Sequence, residues 1–327
     1  MLSASWACEP TKRKAQGVSA MEKQKLLSVG FRVWKKAFSP YWYFIPLFVV
    51  VGALMVYPLA DGIRLSFWSK NLMYPGKDKF VGFANYYKLL FEDKLFWPAL
   101  RNSIIFTAAS VLFEYLLGLG SALLLNSKHV VRCKNLLRGI VLLPWVVPIA
   151  VNSLNWRWML LPDYGFVNQL LRISGLGSIA RGWLSDLRWV FPTVVLVNVW
   201  RSFPFYTVTI LAGLTLIPRE LYEAAHIDGA NRWQVFRYIT FPGIKGVSTV
   251  IVVLHIVWTF VNFDVIYLLT GGGPLHRTEV LPTYLYQQAF NYFKVSYASS
   301  IGTFIFLFLI ITVGFYFSKF SSFYVER

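Results

Sequence analysis

Charged residues are scarce in this 327-residue chain, which is 14% Asp, Glu, Lys and Arg, whereas soluble proteins average about 25%. Acidic residues are the scarcer kind, since 15 Asp and Glu stand beside 32 Lys and Arg. Hydrophobic residues make up 56% of the chain and aromatic residues 18%. So little charge argues against a sizeable soluble domain, and the composition predicts a membrane protein.

Signatures of metal, disulfide and enzyme chemistry are also missing. The two cysteines, Cys8 and Cys133, fall on the predicted cytoplasmic side, where thiols stay reduced, so neither a disulfide nor a metal site is expected. His226 and His255 have no second metal-ligand group at a suitable spacing and are expected to be hydrogen-bonded structural histidines. The sequence has no Ser/His/Asp or Cys/His arrangement, so we expect neither an enzyme nor a cofactor.

Signatures of nucleotide and nucleic-acid binding are absent from the sequence as well. It contains no G-x-x-x-x-G-K-[ST] phosphate loop, so any ATP must be bound by another subunit. The net charge of +17 does not indicate nucleic acid, because the basic residues flank apolar stretches and form no aromatic-interleaved patch. We expect these residues to anchor the chain at membrane lipid, with no nucleic-acid partner.

Six apolar stretches are long enough to cross a membrane, because a bilayer core about 30 Å thick requires about 20 mostly apolar residues per helix. They lie near residues 41–60, 99–125, 139–159, 189–215, 246–270 and 298–320. The sequence therefore predicts an all-α integral membrane protein with six transmembrane helices within 41–320. Residues 1–40 are expected to form a basic cytoplasmic tail, and residues 321–327 a short cytoplasmic C-terminal tail.

The distribution of Lys and Arg predicts the orientation, because cytoplasmic loops carry the excess of these residues. Basic residues are dense before the first stretch and in the 126–138 loop. We place both termini, this loop and the 216–245 loop in the cytoplasm. The 61–98 connection argues against this orientation with its own Lys and Arg residues, but the denser N-terminal cluster should outweigh it. Within that connection, FVGFANYYKLL is expected to form an amphipathic segment on the outer surface.

Ionisable and helix-disrupting residues interrupt the apolar stretches. Lipid-facing helices seldom tolerate such residues, which normally face a bundle interior or an aqueous path. They are Glu114, Pro144, Pro148, Arg157, Arg201, Pro204 and Asp264. Those in the third to fifth stretches together favour a translocation path, whereas Glu114 alone is equally compatible with a partner or subunit contact. Gly118, Gly120, Ser121 and Ala122 predict close packing of the second helix on a neighbour.

A charged segment, ELYEAAHIDGANRWQVFRYITFP, separates the fourth and fifth stretches. Pro218 suits the first turn of a helix, and Gly229 is placed to end that helix in a left-handed conformation. Asn231, with Gln234 three residues later, predicts a capping box that starts a second helix running to Pro242. The segment is therefore predicted to be a helix–turn–helix. Helices this short are marginal in water, so the pair should need a docking partner.

This segment resembles the cytoplasmic loop of the transmembrane subunits of binding-protein-dependent ABC importers. The family pattern is Glu-Ala-Ala, three residues, Gly, nine residues, then Ile-x-Leu-Pro. The chain matches it at Glu223, Ala224, Ala225, Gly229, Ile239 and Pro242, with Phe241 where Leu is usual. The version EAAHIDGA is similar to the branch that imports oligosaccharides and polyols, which includes the maltose-type permeases. LLTGGGP, residues 268–274, resembles a stretch of the sugar-importing members.

The resemblance implies that this loop inserts into a cleft on a separate ATPase subunit and transmits its closure to the membrane helices. The implied coupling residues are Glu223, Ala224, Ala225, Asp228, Gly229, Arg237 and Pro242. Arg237 is a candidate ion-pair partner of Glu223 on charge alone. The resemblance also implies a second, similar permease subunit, two ATPase subunits that bind ATP and Mg, an extracytoplasmic solute-binding protein and a location in the bacterial inner membrane.

A sugar path requires flat aromatic faces for the ring and a few placed polar groups for its hydroxyls. Candidates in the fourth stretch recur at i, i+3, i+4 and i+7, and those in the fifth at i, i+1 and i+4, so each set should share one side of its helix. These positions also resemble solute-facing positions of the maltose-type members. The candidate path residues are Trp145, Asn198, Arg201, Ser202, Phe205, Trp258, Thr259, Asn262 and Asp264.

Arg201 departs from the apolar residue expected at its position, which suggests either an acidic substituent on the solute or a salt bridge to Asp264. Aromatic and small polar residues also hold membrane helices together, so a purely structural role for the candidate path residues stays open. Two other classes of function also remain. One is an ATP-independent six-span secondary transporter or channel, and the other is a membrane scaffold or sensor that docks an ATPase without conducting a solute.

Overall fold

The computed structural model of the chain describes residues 42–74, 76, 78–127 and 134–320. The predicted tails at 1–40 and 321–327 lie outside these residues, as do Cys8 and Cys133. Internal contacts divide the chain into two units, one ending at Asp61 and the other beginning at Gly62.

Helices form nearly all of the regular structure in the described residues. In chain order they are α1 (Ile45–Val51), α2 (Tyr57–Ser66), α3 (Ala84–Tyr87), α4 (Phe96–Asn126), α5 (Lys134–Val146), α6 (Ile149–Met159), α7 (Phe166–Ile173), α8 (Val190–Thr215), α9 (Arg219–Ile227), α10 (Arg232–Val235), α11 (Phe241–Phe260), α12 (Asp264–Thr270), α13 (Leu281–Tyr286) and α14 (Val295–Phe320). Wider π-helical turns occupy Gly52–Val56, Lys88–Glu92, Phe236–Thr240 and Gln287–Asn291, and a 3-10 turn occupies Gly177–Ile179. Two short strands, β1 (Trp68–Ser69) and β2 (Lys79–Phe80), pair antiparallel.

Five continuous helices in the described residues are long and apolar enough to cross a membrane. They are Ile45–Ser66, Phe96–Asn126, Val190–Thr215, Arg232–Phe260 and Val295–Lys319. A sixth crossing is present if the bent pair Leu136–Val146 and Ile149–Met159 forms one span. The predicted all-α membrane fold is confirmed.

The third predicted span, 139–159, is broken, and its two helices meet at 92°. α5 contains Pro144 within it, but Pro148 stands outside α6 with an extended backbone at φ −52° and ψ 138°. Proline has no N–H to donate, and it disfavours helical geometry in the residue before it. The predicted third span is therefore two helices joined at a bend, and the second of the two prolines explains the break.

The fifth predicted span, 246–270, differs at both ends. The helix begins at Arg232 and ends at Phe260, and residues 261–263 interrupt it before α12. In the interruption, Oδ1 of Asn262 accepts a hydrogen bond from the backbone N–H of Val265 at 3.3 Å. A short polar side chain that bonds to the backbone in this way competes with continuation of the helix.

The connection between the first two spans is shorter than predicted, because α2 continues the first span to Ser66. After the strand pair, α3 and its π-helical turn bury Leu89 completely. The opposite side exposes the aromatic side chains of Phe83, Tyr87 and Phe91. This one-sided burial agrees with the amphipathic segment predicted here.

α4 and α8 make the most extensive helix–helix contact in the described chain. A Cβ atom built on Gly118 would lie 2.3 Å from the Cβ of Tyr206, so the two helices approach this closely only because residue 118 is glycine. Ala122, one turn later, is fully buried in the same cluster. A Cβ on Gly120, by contrast, would meet nothing within 4 Å. The predicted close packing is confirmed for Gly118 and Ala122 but not for Gly120.

Candidate functional site

Glu114 is the centre of a polar network inside the transmembrane helices. It lies on α4, and none of its surface is exposed. Its Oε1 accepts a hydrogen bond from Nδ2 of Asn198 on α8 at 3.0 Å, and its Oε2 lies 2.9 Å from Nδ1 of His255 on α11. Burying a carboxyl group costs free energy unless hydrogen-bonding partners satisfy it. These two partners do so, and they join three spans at one point.

Asn262 extends this network to the interruption after α11. Its Nδ2 donates a hydrogen bond to Oδ1 of Asn198 at 3.0 Å. Its own Oδ1 accepts the bond from Val265 already described. The network therefore runs from α4 through α8 to the start of α12, and it brings together two of the candidate path residues, Asn198 and Asn262.

Arg201 and Ser202 lie on α8 beyond Asn198, as the predicted stripe requires. Ser202 is buried and Arg201 is half-buried. The Nε atom of Arg201 is buried and has no hydrogen-bond partner among the described residues. Asp264 is exposed, and within the described chain it forms no ion pair with Arg201 shorter than 4.0 Å. The suggested salt bridge to Asp264 is therefore not formed in this structure.

Three aromatic candidates converge from three different helices. The ring centroid of Phe205 on α8 lies 5.5 Å from that of Trp145 on α5 and 5.8 Å from that of Trp258 on α11. His255 joins this aromatic cluster at 5.5 Å from Phe205. Trp145 is 44% exposed and Trp258 is 52% exposed, so part of each ring is uncovered. Since His255 also bonds to Glu114, the aromatic cluster adjoins the polar network.

The predicted stripe on the fifth span is not formed by one helix face. Trp258 is half exposed, whereas the next residue, Thr259, is buried. Neighbouring helical positions are rotated by about 100°, so these two side chains face different surroundings. Asn262 lies beyond the helix end at Phe260. It reaches Asn198 from the interruption, which the helical spacing did not anticipate.

The sequence does not assign a role to Glu114, and it predicts a structural role for His255. In the structure the side chains of these two residues are in hydrogen-bonding contact. The available signal was that each is a titratable group in an otherwise apolar span and so needs a partner. Their spacing could not reveal the pairing, because the two residues lie on different helices. The expected hydrogen bond of His255 is confirmed. His226 is instead exposed at the end of α9 and makes no side-chain hydrogen bond within the described chain.

The charged segment folds as the predicted helix–turn–helix. Pro218 is the N-cap of α9, one position before the first turn, and Gly229 adopts φ +70°, the left-handed conformation expected after the helix. The backbone N–H of Asn231 donates to Oε1 of Gln234 at 2.8 Å, and Oδ1 of Asn231 accepts from the backbone N–H of Gln234 at 2.9 Å. The predicted capping box is confirmed.

The prediction that the second helix of this segment ends at Pro242 is wrong. α10, the π-helical turn Phe236–Thr240 and α11 form one continuous helix from Arg232 to Phe260. Pro242 cannot donate a backbone hydrogen bond, which normally breaks a helix interior. Here the preceding turn is already π-helical, with the N–H of Phe241 bonded to the carbonyl of Phe236, and Pro242 follows at the first turn of α11.

Most of the implied coupling residues lie on the surface of the chain. Glu223, Ala224, Asp228, Gly229, Arg237 and Pro242 are exposed, and Ala225 is half-buried. Glu223 and Arg237 form no ion pair within 4.0 Å in the part of the chain that the structure describes. Large apolar side chains on the same segment are exposed as well, namely Leu221, Ile227, Trp233 and Tyr238.

The LLTGGGP stretch begins in the last turn of α12, and its glycines form a tight loop after the helix. Gly271 and Gly272 have φ values of +62° and +92°, and a Cβ on Gly272 would lie 2.7 Å from Oε2 of Glu279. The buried Glu279 holds the loop, because its Oε2 lies 2.9 Å from Nδ1 of His276 and accepts from Nε2 of Gln287 at 3.1 Å. The stretch is therefore an ordered, packed loop.

Asp93 forms a second carboxylate-centred contact, outside the predicted sites. The hydroxyls of Tyr284 and Tyr297 both donate to its Oδ2, and its Oδ1 accepts from the backbone N–H of Leu95 at 2.8 Å. Burial raises the pKa of Tyr284 above its ordinary value, and the hydrogen bond to Asp93 raises it further. The Tyr284 hydroxyl therefore stays protonated at neutral pH and remains a donor.

A cavity of about 370 Å³ lies beside the LLTGGGP loop. Its lining includes Arg157, Leu161, Ser185, Thr270 and Pro274, and none of the candidate path residues. The path candidates therefore do not coincide with this cavity of the single chain. The described residues contain no group of three or more His, Cys, Asp or Glu side chains that could hold a metal ion.

Comparison with known proteins places this arrangement in a family. Residues 114–327 match the family described as binding-protein-dependent transport system inner membrane component. The chain is 36% identical over 262 residues to the trehalose/maltose transport system permease protein MalF of Thermococcus litoralis, across 80% of this chain and 85% of that protein.

Two solved structures have a similar fold. One is a bacterial ABC transporter involved in the import of the acidic polysaccharide alginate, with a TM-score of 0.78, 25% identity and coverage of 90% of this chain and 100% of that chain. The other is a bacterial alginate ABC transporter in complex with an alginate pentasaccharide-bound periplasmic protein, with a TM-score of 0.74, 25% identity and coverage of 86% and 94%. The chain therefore belongs to the family of binding-protein-dependent transport system inner membrane components, the permease subunits of ABC transporters.

Proposed function

We propose that this chain is the membrane-spanning subunit of an ATP-driven importer and forms one wall of the path for a sugar or a related polyol. The observation that carries the proposal is the convergence of Trp145, Phe205 and Trp258, which His255 and Glu114 join to the Asn198–Asn262 amide pair. Partly uncovered aromatic rings suit the apolar faces of a sugar, and the half-buried amide of Asn262 suits its hydroxyls. Asn198 is 1% exposed and supports the amide of Asn262 from behind. The carbohydrates named for the relatives, trehalose, maltose and alginate, support this class of solute.

Arg201 is proposed to bind an acidic substituent on the solute. Its Nε atom is buried without a partner in the described chain, and Asp264 does not pair with it. A guanidinium nitrogen that loses water without gaining an acceptor is costly, whereas a carboxylate or phosphate offers charge-assisted bonds. The structurally similar importer of an acidic polysaccharide supports this assignment. Unchanged uptake of every acidic and neutral sugar tested in Arg201→Ala would contradict it.

The helix–turn–helix is proposed to dock on a separate ATPase subunit, which binds ATP and Mg. The coupling residues proposed on this loop are Glu223, Ala224, Ala225, Asp228, Gly229, Arg237 and Pro242. The exposed apolar side chains of Leu221, Ile227 and Trp233 support a protein partner here, because clustered apolar surface on a charged loop marks an interaction site. Glu223 then pairs across the interface, since it has no cationic partner in the described chain.

The complete transporter is proposed to contain a second, similar permease subunit, two ATPase subunits and an extracytoplasmic solute-binding protein. The alginate transporter that this chain resembles was solved with its periplasmic protein, which supports the last of these partners. In this assembly both termini and the 216–245 loop face the cytoplasm of a bacterial inner membrane. Two facing permease subunits also account for path candidates that lie outside the 370 Å³ cavity found in the described part of the single chain.

The path assignment can be tested with the assembled transporter in liposomes. Phe205→Ala removes the central ring of the aromatic cluster, and Phe317→Ala removes an exposed ring of α14 as the matched control. We expect Phe205→Ala to raise the KM for ATP-driven uptake about tenfold, the effect of losing one stacking contact of about 1.4 kcal/mol, and the control to leave it unchanged. Equal KM values for the two variants would refute the path.

The same assay separates the alternative functions. Solute movement by this chain alone, without ATP, would favour the secondary transporter or channel. ATP hydrolysis by the assembled complex with no uptake of any solute would favour the scaffold. Family membership supports the ATP-driven importer over both.

A further inference from the structure

Glu114 is fully buried on α4, so it is screened from any transported solute. Both of its carboxylate oxygens are nevertheless engaged, one by Asn198 and the other by His255. Two bonds from two different helices hold the carboxylate plane in a fixed orientation. A group held in this way acts on the path only through its neighbours.

The hydrogen bonds leading from Glu114 have a single direction. In the structure Asn198 turns its Nδ2 towards Oε1 of Glu114, which accepts the bond. Its Oδ1 is then left to face Asn262, which must in turn present its own Nδ2. The Oδ1 of Asn262 is thereby directed to the backbone N–H of Val265. The orientation of each amide follows from that of the group before it.

We infer that Glu114 is a positioning residue, which acts through Asn198 to hold the amide of Asn262, and with it the interruption between α11 and α12, in one orientation. The effect on transport rests on the proposed function, because it requires Asn262 to face the solute. The effect on the local backbone does not, because it depends only on the bond from Val265 to Asn262.

The sharpest test reverses the first link of this chain of bonds. Asn198→Asp places a second carboxyl group against that of Glu114 at a spacing that is 3.0 Å in the native pair. The native amide donor is lost, and the two carboxyl groups must repel each other or share a proton. Glu114→Gln in the same chain restores a donor, because the amide nitrogen of the glutamine can bond to the new carboxylate on α8 while its oxygen faces His255. The second oxygen of that new carboxylate still accepts from Asn262. The double variant should therefore rescue the single one.

Two measurements on the assembled transporter in lipid nanodiscs follow this rescue. The first is hydrogen–deuterium exchange over residues 261–267, which reports on the bond between Val265 and Asn262. Asn198→Asp is expected to speed exchange there about tenfold, and Glu114→Gln/Asn198→Asp to return it to within about twofold of the wild-type rate. The second is the KM for uptake, which is expected to rise and recover in parallel while the ATP hydrolysis rate at saturating solute changes less.

The outcomes distinguish the positioning role of Glu114 from the place of Asn262 in the solute path. If the double variant exchanges as fast as Asn198→Asp, or if neither variant assembles, the positioning role is refuted. If only the double variant assembles, rescue has occurred and the role is supported. If exchange follows the expected pattern but KM stays constant in all variants, the positioning of Asn262 stands and its place in the solute path fails.

Discussion

Substituting alanine for Gly118 tests whether the close approach of α4 and α8 maintains the polar network. The new Cβ would lie 2.3 Å from the Cβ of Tyr206, 3.1 Å from the backbone nitrogen of Thr207 and 3.2 Å from the carbonyl oxygen of Phe203. None of these atoms belongs to the flexible end of a side chain. The helices must therefore move apart, by about 1.5 Å, to restore a carbon–carbon separation near 3.8 Å.

The loss of stability in Gly118→Ala has two parts, overpacking at residue 118 and the loss of the Glu114–Asn198 hydrogen bond one helical turn away. Overpacking alone costs about 1–3 kcal/mol. Glu114 precedes Gly118 by one helical turn, so the same separation would lengthen its 3.0 Å bond to Asn198 beyond hydrogen-bonding distance. Losing that bond adds about 1.5–3 kcal/mol. We expect Gly118→Ala to lower the melting temperature of the purified protein by roughly 5–10 °C.

Gly120→Ala is the matched control on the same helix, because its Cβ would meet nothing within 4 Å. Alanine favours a helix over glycine by about 1 kcal/mol, so this control should be neutral or slightly stabilising. Both variants are compared by thermal unfolding followed through tryptophan fluorescence, together with hydrogen exchange over residues 261–267. Equal melting temperatures for the two variants would show that the α4–α8 contact yields without cost, and would contradict the reasoning.

Three further predictions concern local contacts. Gly229→Ala should reduce ATP-driven uptake without loss of membrane insertion, because φ +70° costs an alanine about 1–2 kcal/mol; Gly229→Asn should retain more uptake, and equal uptake by both would contradict this. Asn231→Ala should lose about 1 kcal/mol of cap stability and speed limited proteolysis within 229–236, whereas Asn231→Asp keeps the acceptor and should resist cleavage like the wild type. Tyr284→Phe removes one donor from Asp93 and should destabilise the protein by about 1–2 kcal/mol in thermal unfolding, while Tyr292→Phe, at an exposed position, should not; equal loss in both would argue against the Asp93 contact.

Local chemistry within the charged loop was predictable, because each feature depends on residues only a few positions apart. Gly229 supplies the positive φ, and Asn231 and Gln234 satisfy each other's backbone groups three residues apart. No distant part of the chain takes part in these contacts. The turn and the helix cap of the loop proposed to dock on an ATPase are therefore the features that the sequence predicts best.

The boundaries of the membrane helices were less predictable, because apolar composition does not distinguish a straight span from a broken one. Pro148 signals a break, but the 92° between its flanking helices depends on what α6 packs against. Pro242 was predicted to end a helix, but the helix continues through it because a π-helical turn precedes the proline. The Glu114–His255 contact could not be predicted, because a single sequence does not show which helices are neighbours.

The helix from Arg232 to Phe260 is continuous, so a rotation at one end displaces the other end. Its 29 residues measure about 44 Å at 1.5 Å per residue. One end follows the Asn231 cap on the charged loop, and the other stops just before Asn262. A tilt of roughly 5° about the loop end sweeps the far end through about 4 Å, which exceeds the 3.0 Å that separates Asn262 from Asn198. A small rotation at the loop, the proposed docking segment, is therefore sufficient to separate the amide of Asn262, proposed to meet the solute, from that of Asn198.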